Sequence, residues 1–257
     1  MATYNKRGYK PKTKEEKKVN IEENSTTAEV FNTLDETASK TEDFVAKNQK
    51  YIFMIIGVVA VVVLGYLGYN EFVAKPKAEN AMNDMFQAQK YFDEAVNGGA
   101  AQDSLFTLAL NGGEGKYGML DIISEYGGTP AANIANYCAG TAYLHLKDYK
   151  NAVKYLGDFK SEDEVLAPLA KGNIGDAFVQ LNQNEDALNY YEEAAKIRSN
   201  EYTTPLYLYK AGNIALNLGK ADKALTYFER IKNDFPNSTE ASSVEVFIGK
   251  ARILAGK

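Results

Sequence analysis

An all-α protein, one membrane-crossing helix followed by a stack of paired amphipathic helices, is predicted by three observations. The run Tyr51–Tyr69, YIFMIIGVVAVVVLGYLGY, holds no charged residue between Lys50 and Asn70. From residue 130 onward, three stretches of similar pattern follow one another at spacings of 35 and 37 residues. The 188 residues after the apolar run suffice for one domain or for an array of small repeats.

The apolar run sets the layout. At ~1.5 Å rise per residue a helix of this length covers roughly 28 Å, about the hydrocarbon thickness of a bilayer. A backbone in lipid satisfies its own hydrogen bonds, so the run is expected to be helical despite its β-branched valines. Tyr51 at one end and Tyr66 and Tyr69 at the other suit the two interfacial aromatic belts. A buried core helix of that length would carry polar residues on some face. A signal peptide fails on its flanks, because about fifty residues precede the run and LGYNEFVAKP after it offers no small-x-small cleavage site. An uncleaved anchor is expected. Gly57, Ala60, Leu64 and Gly68 share one face of it, where small residues would let another helix approach closely.

Before the anchor, residues 1–18 carry seven Lys/Arg against Glu15 and Glu16 and read as disordered. Attraction to anionic lipid and a solvated topology signal both fit them. From Thr27 to Lys50, Val30, Leu34, Ala38, Thr41 and Val45 recur at helical spacing with Ser25–Thr27 as a cap, predicting a weakly amphipathic helix. A partner contact and a plain stalk are equally open for it. The tail of 50 residues holds ten Lys/Arg, and a long folded domain translocates largely regardless of charge, so the tail is expected inside and the large domain outside.

The residues after the anchor hold nineteen Lys/Arg against twenty-five Asp/Glu, an acidic balance that gives no support to nucleic-acid binding. Cys138 is the only cysteine, which excludes an intramolecular disulfide. Pro76 should begin or kink a helix over about 77–96, with Ala78, Ala81, Met82, Met85, Phe86, Tyr91 and Phe92 as its packed positions. NGGAAQ (97–102), the short apolar SLFTLAL (104–110) and NGGEGKYG (111–118) follow. The last lacks the Gly-Lys-Ser/Thr ending of a phosphate loop and reads as a flexible turn.

The repeats are YCAGTAYLHLKDYKNAVKYL (137–156), GNIGDAFVQLNQNEDALNYYEEA (172–194) and KAGNIALNLGKADKALTYFERIKNDFP (210–236). Gly140, Gly175 and Gly212 align, as do Ala152, Ala187 and Ala224, and then Leu156, Tyr191 and Phe228. The glycine lets the two helices of a copy cross closely, the alanine admits a neighbour, and the large residue fills the gap. Pro205 after Thr203 and Thr204 suits a first helical turn with threonine capping. Ser238 to Leu254 reads as one helix closing the stack. A period near 34 built from two helices resembles the tetratricopeptide repeat (TPR), which makes the expected fold an N-terminal transmembrane helix followed by a TPR α-solenoid. The implied domains are 1–50 tail, 51–69 span, 70–129 linker and N-terminal helices, 130–236 three repeats, and 237–257 capping helix.

The layout is also similar to a bacterial group of single-anchor periplasmic TPR proteins, the YfgM-like ancillary subunits of the SecYEG translocon. The matching features are the anchor, the helix after it, EYGGT before the first clear repeat, and TTPLYLYKAG opening the third. The resemblance implies an inner-membrane protein with a cytoplasmic N-terminus and a periplasmic domain. It further implies partnership with SecYEG and a membrane-anchored periplasmic prolyl isomerase, and assistance to newly exported proteins. A structural scaffold in another cell-envelope complex is the alternative.

In TPR stacks the first helix of each repeat lines a concave groove. The family's groove positions fall on Tyr137, Thr141, Leu144 and His145, then Gly172, Asp176 and Gln180, then Tyr209, Asn213, Leu216 and Asn217. The carboxylate-clamping cations of some relatives are missing from that set. Tyrosines, amides and leucines better suit extended polypeptide, including exported segments. His145 is the only histidine, and no CxxC, HxxxH, GxSxG or dinucleotide fingerprint occurs. Neither a metal, a cofactor nor catalysis is expected.

Overall fold

The computed structural model describes residues 26–98 and 101–257. The lysine-rich stretch 1–18 and the expected cap at Ser25 lie outside the described residues, as does the side chain of Val30. Among the described residues every regular element is a helix, apart from an isolated bridge between Gly113 and Lys116. The chain divides into two units, 1–69 and 70–257.

The first unit is α1, Thr26–Tyr69. The amphipathic stretch and the apolar run form one helix with no break at Lys50, because neither glycine nor proline occurs from Thr26 to Ile56. Among the described residues it contains the segment long and apolar enough to cross a membrane. The side chains of that run are mostly exposed, Ile55, Val59, Val62 and Leu64 among them.

The second unit opens with a π-helical turn, Asn70–Ala74, and continues as α2, Lys75–Val96. Pro76 in the first turn of α2 has no N–H to close onto the carbonyl four residues back, and the wider π turn sits where that bond is lost. Ala81, Met85, Ala88, Phe92 and Ala95 form the buried stripe of α2. Met82 and Phe86, expected to pack, lie one position off that stripe and are exposed. Helix α3, Gln102–Asn111, packs on α2 through Phe106, Ala109 and Leu110.

The turn that follows is tightly closed. A Cβ at Gly112, whose φ is +79°, would stand 2.1 Å from the Lys116 carbonyl oxygen, so only glycine fits there. The turn leads into α4, Met119–Glu125, a helix that seven residues of weak periodicity did not announce. Asp121 accepts a hydrogen bond from the Gly118 N–H, and Met119 and Ile122 are fully buried.

Three helix pairs follow: α5 (Pro130–His145) with α6 (Tyr149–Asp158), α7 (Leu166–Gln180) with α8 (Asn184–Lys196), and α9 (Thr203–Asn217) with α10 (Ala221–Asp234). The starts of α5, α6 and α7 are capped by side chains. The Thr129 hydroxyl accepts from the Ala132 N–H at 3.2 Å, Asp148 accepts from Asn151, and Asp163 accepts from Val165 and Leu166. The threonine cap expected for α9 is replaced. Asn200 accepts from the Tyr202 and Thr203 N–H groups, while Thr203 and Thr204 are buried within the first turn. The closing helix is also shorter than expected. A 3₁₀ turn, Glu240–Ser242, precedes α11, Val244–Leu254.

The aligned glycines meet the aligned large residues of their own pair. A Cβ on Gly140 would lie 2.5 Å from Leu156, on Gly175 2.6 Å from the Tyr191 ring, and on Gly212 2.5 Å from the Phe228 ring. Ala152, Ala187 and Ala224 are all fully buried. The core is divided along the stack. One cluster runs from α2 to α5, another from α8 to α11, and a small one of Leu156, Phe159, Ala170 and Ile174 lies between.

Candidate partner-binding groove

The first helices of the pairs, α5, α7 and α9, contact one another in succession and carry all the residues assigned to the groove. Two rows recur at the C-terminal ends of these helices. His145, Gln180 and Asn217 are exposed, and beside them Leu144, Val179 and Leu216 are half-buried. These rows exist because the spacings of 35 and 37 preserve the helical phase from one pair to the next. His145 has a second task, for its ring stacks 4.6 Å above Phe106 of α3 and covers that buried side chain.

Nearer the N-terminal ends the residues are engaged within the protein. Tyr137 is half-buried against Phe159, centroids 5.2 Å apart, and burial raises its hydroxyl pKa. Thr141 is buried one turn along the same helix from Tyr137. The Tyr209 ring meets Phe228 and Phe247 edge-on, at 6.1 and 5.1 Å, so it packs α9 against α10 and α11. Asn213 donates to the Tyr209 carbonyl one turn back. Gly172 lies under the Tyr207 ring, where a Cβ would stand 1.9 Å from the nearest ring carbon.

Asp176 is the most heavily engaged residue of the set. It accepts from the Tyr191 hydroxyl at 2.6 Å and from Lys210 Nζ at 2.7 and 2.8 Å. Lys210 also stands 5.7 Å from the centroids of the Tyr191 and Tyr207 rings. Burial, reinforced by the Asp176 carboxylate, pushes the Tyr191 and Tyr207 hydroxyls well above the ordinary phenol range. Register alone places Lys210 outside the groove set, so sequence reasoning missed this cluster. The available signal was Asp176 and Lys210 on successive first helices, 34 residues apart.

Residues 173–239 match the family model of the tetratricopeptide repeat. The match begins within the first helix of the second pair and runs through the third pair. The fold is an all-α TPR solenoid preceded by one apolar helix of membrane-spanning length. TPR repeats are protein–protein interaction modules, and that is the activity the match supports. No curated protein matches the chain.

Among the described residues no group of three or more His, Cys, Asp or Glu could hold a metal ion. Cys138 is buried, and burial together with the Asp93 carboxylate pushes its thiol up to about 12, away from the thiolate form. In α1, Gly57 and Gly68 of the proposed docking face have no atom within 4 Å of a built Cβ, and Ala60 and Leu64 are exposed.

Proposed function

We propose that this protein is a membrane-anchored interaction subunit that takes extended polypeptide on the concave face of its TPR solenoid. The observation that carries the reading is the double row at the ends of α5, α7 and α9. Leu144, Val179 and Leu216 offer apolar contact, while His145, Gln180 and Asn217 offer hydrogen bonds with few internal partners to displace. Tyr209 and Asp176 hold the scaffold rather than the ligand, because their polar and aromatic contacts are already made inside the protein. The groove is thus apolar and amide-rich, with Lys210 beside it neutralised by Asp176.

In the finer form of this proposal the protein is an ancillary subunit of the SecYEG translocon. It would lie in the inner membrane with a periplasmic domain and act on newly exported chains beside a prolyl isomerase. The support is the order of features along the sequence: a lysine-rich tail, an apolar span, the EYGGT loop and the repeats. A scaffold role in another envelope complex uses the same groove on a fixed partner. Copurification of the full-length protein from detergent separates them, with SecY in the eluate for the first and another complex for the second. The triple variant Leu144→Ala, Gln180→Ala, Asn217→Ala should lose the partner while keeping the helical circular dichroism of the wild type. Equal recovery from the folded variant would overturn the groove assignment.

A further inference from the structure

The polar half of α1 is helical. Among its described residues none is buried, and Leu34 and Val45 stay 58% and 46% exposed. In water most helical stability comes from packing an apolar stripe, so such a helix calls for a partner along that stripe.

The stripe has a definite period. Starting at Leu34, alternate steps of four and three residues pass through Ala38, Thr41, Val45 and Asn48 in the polar half, then through Ile52, Ile55, Val59, Val62 and Tyr66, and on to Tyr69, which is five heptads. No position in that series is charged, and Glu42, Asp43, Lys47 and Lys50 all fall outside it. The same register continues from the polar half into the apolar run without a phase break, since α1 itself has none. A period of 3.5 residues is the pattern that keeps one seam facing another helix as the two wind around each other.

We propose that this seam is the interface of a parallel coiled coil formed with a second copy of this chain. Three features select that occupant. A heptad seam is self-complementary, so the same residues serve both helices. Two copies inserted the same way into one membrane are parallel and in register. In that register the positions opposite Glu42 and Gln49 are Thr37 and Phe44, neither of them charged, so no like charges meet. The seam differs from the Gly57, Ala60, Leu64, Gly68 face, which lies on the other side of the helix. Pairing along the seam thus leaves the small-residue face open. The inference is independent of the groove.

The test uses full-length protein in native membranes, in a Cys138→Ala background, with single cysteines oxidised by copper phenanthroline. Ala38→Cys, Val45→Cys and Val59→Cys should give several-fold more disulfide-linked dimer than Asp43→Cys, Lys50→Cys and Ala60→Cys. All of these positions are exposed, so none of the variants threatens the fold. Equal yields around the helix would mean random collision and overturn the proposal, as would monomer at every position. A dimer at Ala60→Cys without one at Val59→Cys would move the contact to the small-residue face and also overturn it.

Discussion

The second and third helix pairs are joined quite differently from the first and second, although both junctions share one repeat register. At the later junction Tyr207 fills the space over Gly172 and stacks on Tyr191 at 6.2 Å. Lys210 ties to Asp176, Glu192 accepts from Lys223 and Tyr227, and Lys220 reaches Glu185. At the earlier junction the equivalent of Gly172 is Tyr137 and the equivalent of Tyr207 is Ala170, so large and small have changed places. Thr141 and Asn173 stand where Asp176 and Lys210 stand, and Gly157 and Asp186 where Glu192 and Lys223 stand. Among the described residues no hydrogen bond or ion pair joins α5 or α6 to α7 or α8. The register thus sets how helices cross, while a few side chains off the repeat pattern decide how firmly neighbouring pairs hold. In a solenoid those neighbour terms add to the intrinsic stability of each pair, so the earlier junction is where the stack should open first.

The largest test removes the filler. Tyr207→Ala empties a fully buried site in the main core and should cost about 3–5 kcal/mol, the range for large aromatic deletions. Phe159→Ala, in the small cluster of the earlier junction, should cost distinctly less in the same denaturant titration. Equal losses would break the contrast between the junctions.

Overpacking the register itself should ignore the contrast. Ala152→Leu and Ala224→Leu both enlarge fully buried alanines on second helices, and each should cost about 1–3 kcal/mol. An unchanged melting curve for either would mean that its pair does not cross as described.

Alkaline titration should weaken the later junction selectively. The folded-state pKa values of Tyr191 and Tyr207 are raised, so their contribution is fully present below the unfolded phenol value of about 10 and is lost as pH climbs from there towards the folded values. Hydrogen exchange at rising pH, corrected for intrinsic rate, should show the advantage of α9 over α7 shrinking. A constant advantage would count against burial of these hydroxyls.

The smallest effect belongs to the ion pair. Lys210→Met leaves Asp176 with the Tyr191 hydroxyl alone, and both charged side chains are about one-third exposed, so solvent already screens the pair. A loss of about 1 kcal/mol or less is expected, measurable as a shift of the denaturation midpoint. A loss as large as that of Tyr207→Ala would mean that charge, rather than filling, holds the junction.

Local chemistry made much of this legible in the sequence. The uncharged run, the aligned glycines and alanines, and the prolines at Pro76 and Pro205 each act on their own helix or on its immediate partner, so linear spacing reveals them. Helix α4 was missed because seven residues hold fewer than two full turns of pattern. The threonine cap went astray because the helix begins earlier, at Thr203, where Asn200 accepts from the Tyr202 and Thr203 N–H groups and the Thr204 hydroxyl itself accepts from the Asn200 N–H. Met82 and Phe86 look like core residues in the sequence, and only the packing of α2 on α3 and α5 decides which stripe is covered.

The candidate groove divides in the same way. Phase along each first helix fixes which residues can face a ligand, and the sequence gives that phase through the repeat spacing. Whether Tyr209 reaches a ligand or a neighbour depends on Phe247, 38 residues later, and whether Asp176 is free depends on Lys210. The sequence by itself therefore determined the repeat helices, their pairing and the membrane-length run. Only the tertiary structure decided which side chains are spent between repeats, because those contacts join residues that no local period relates.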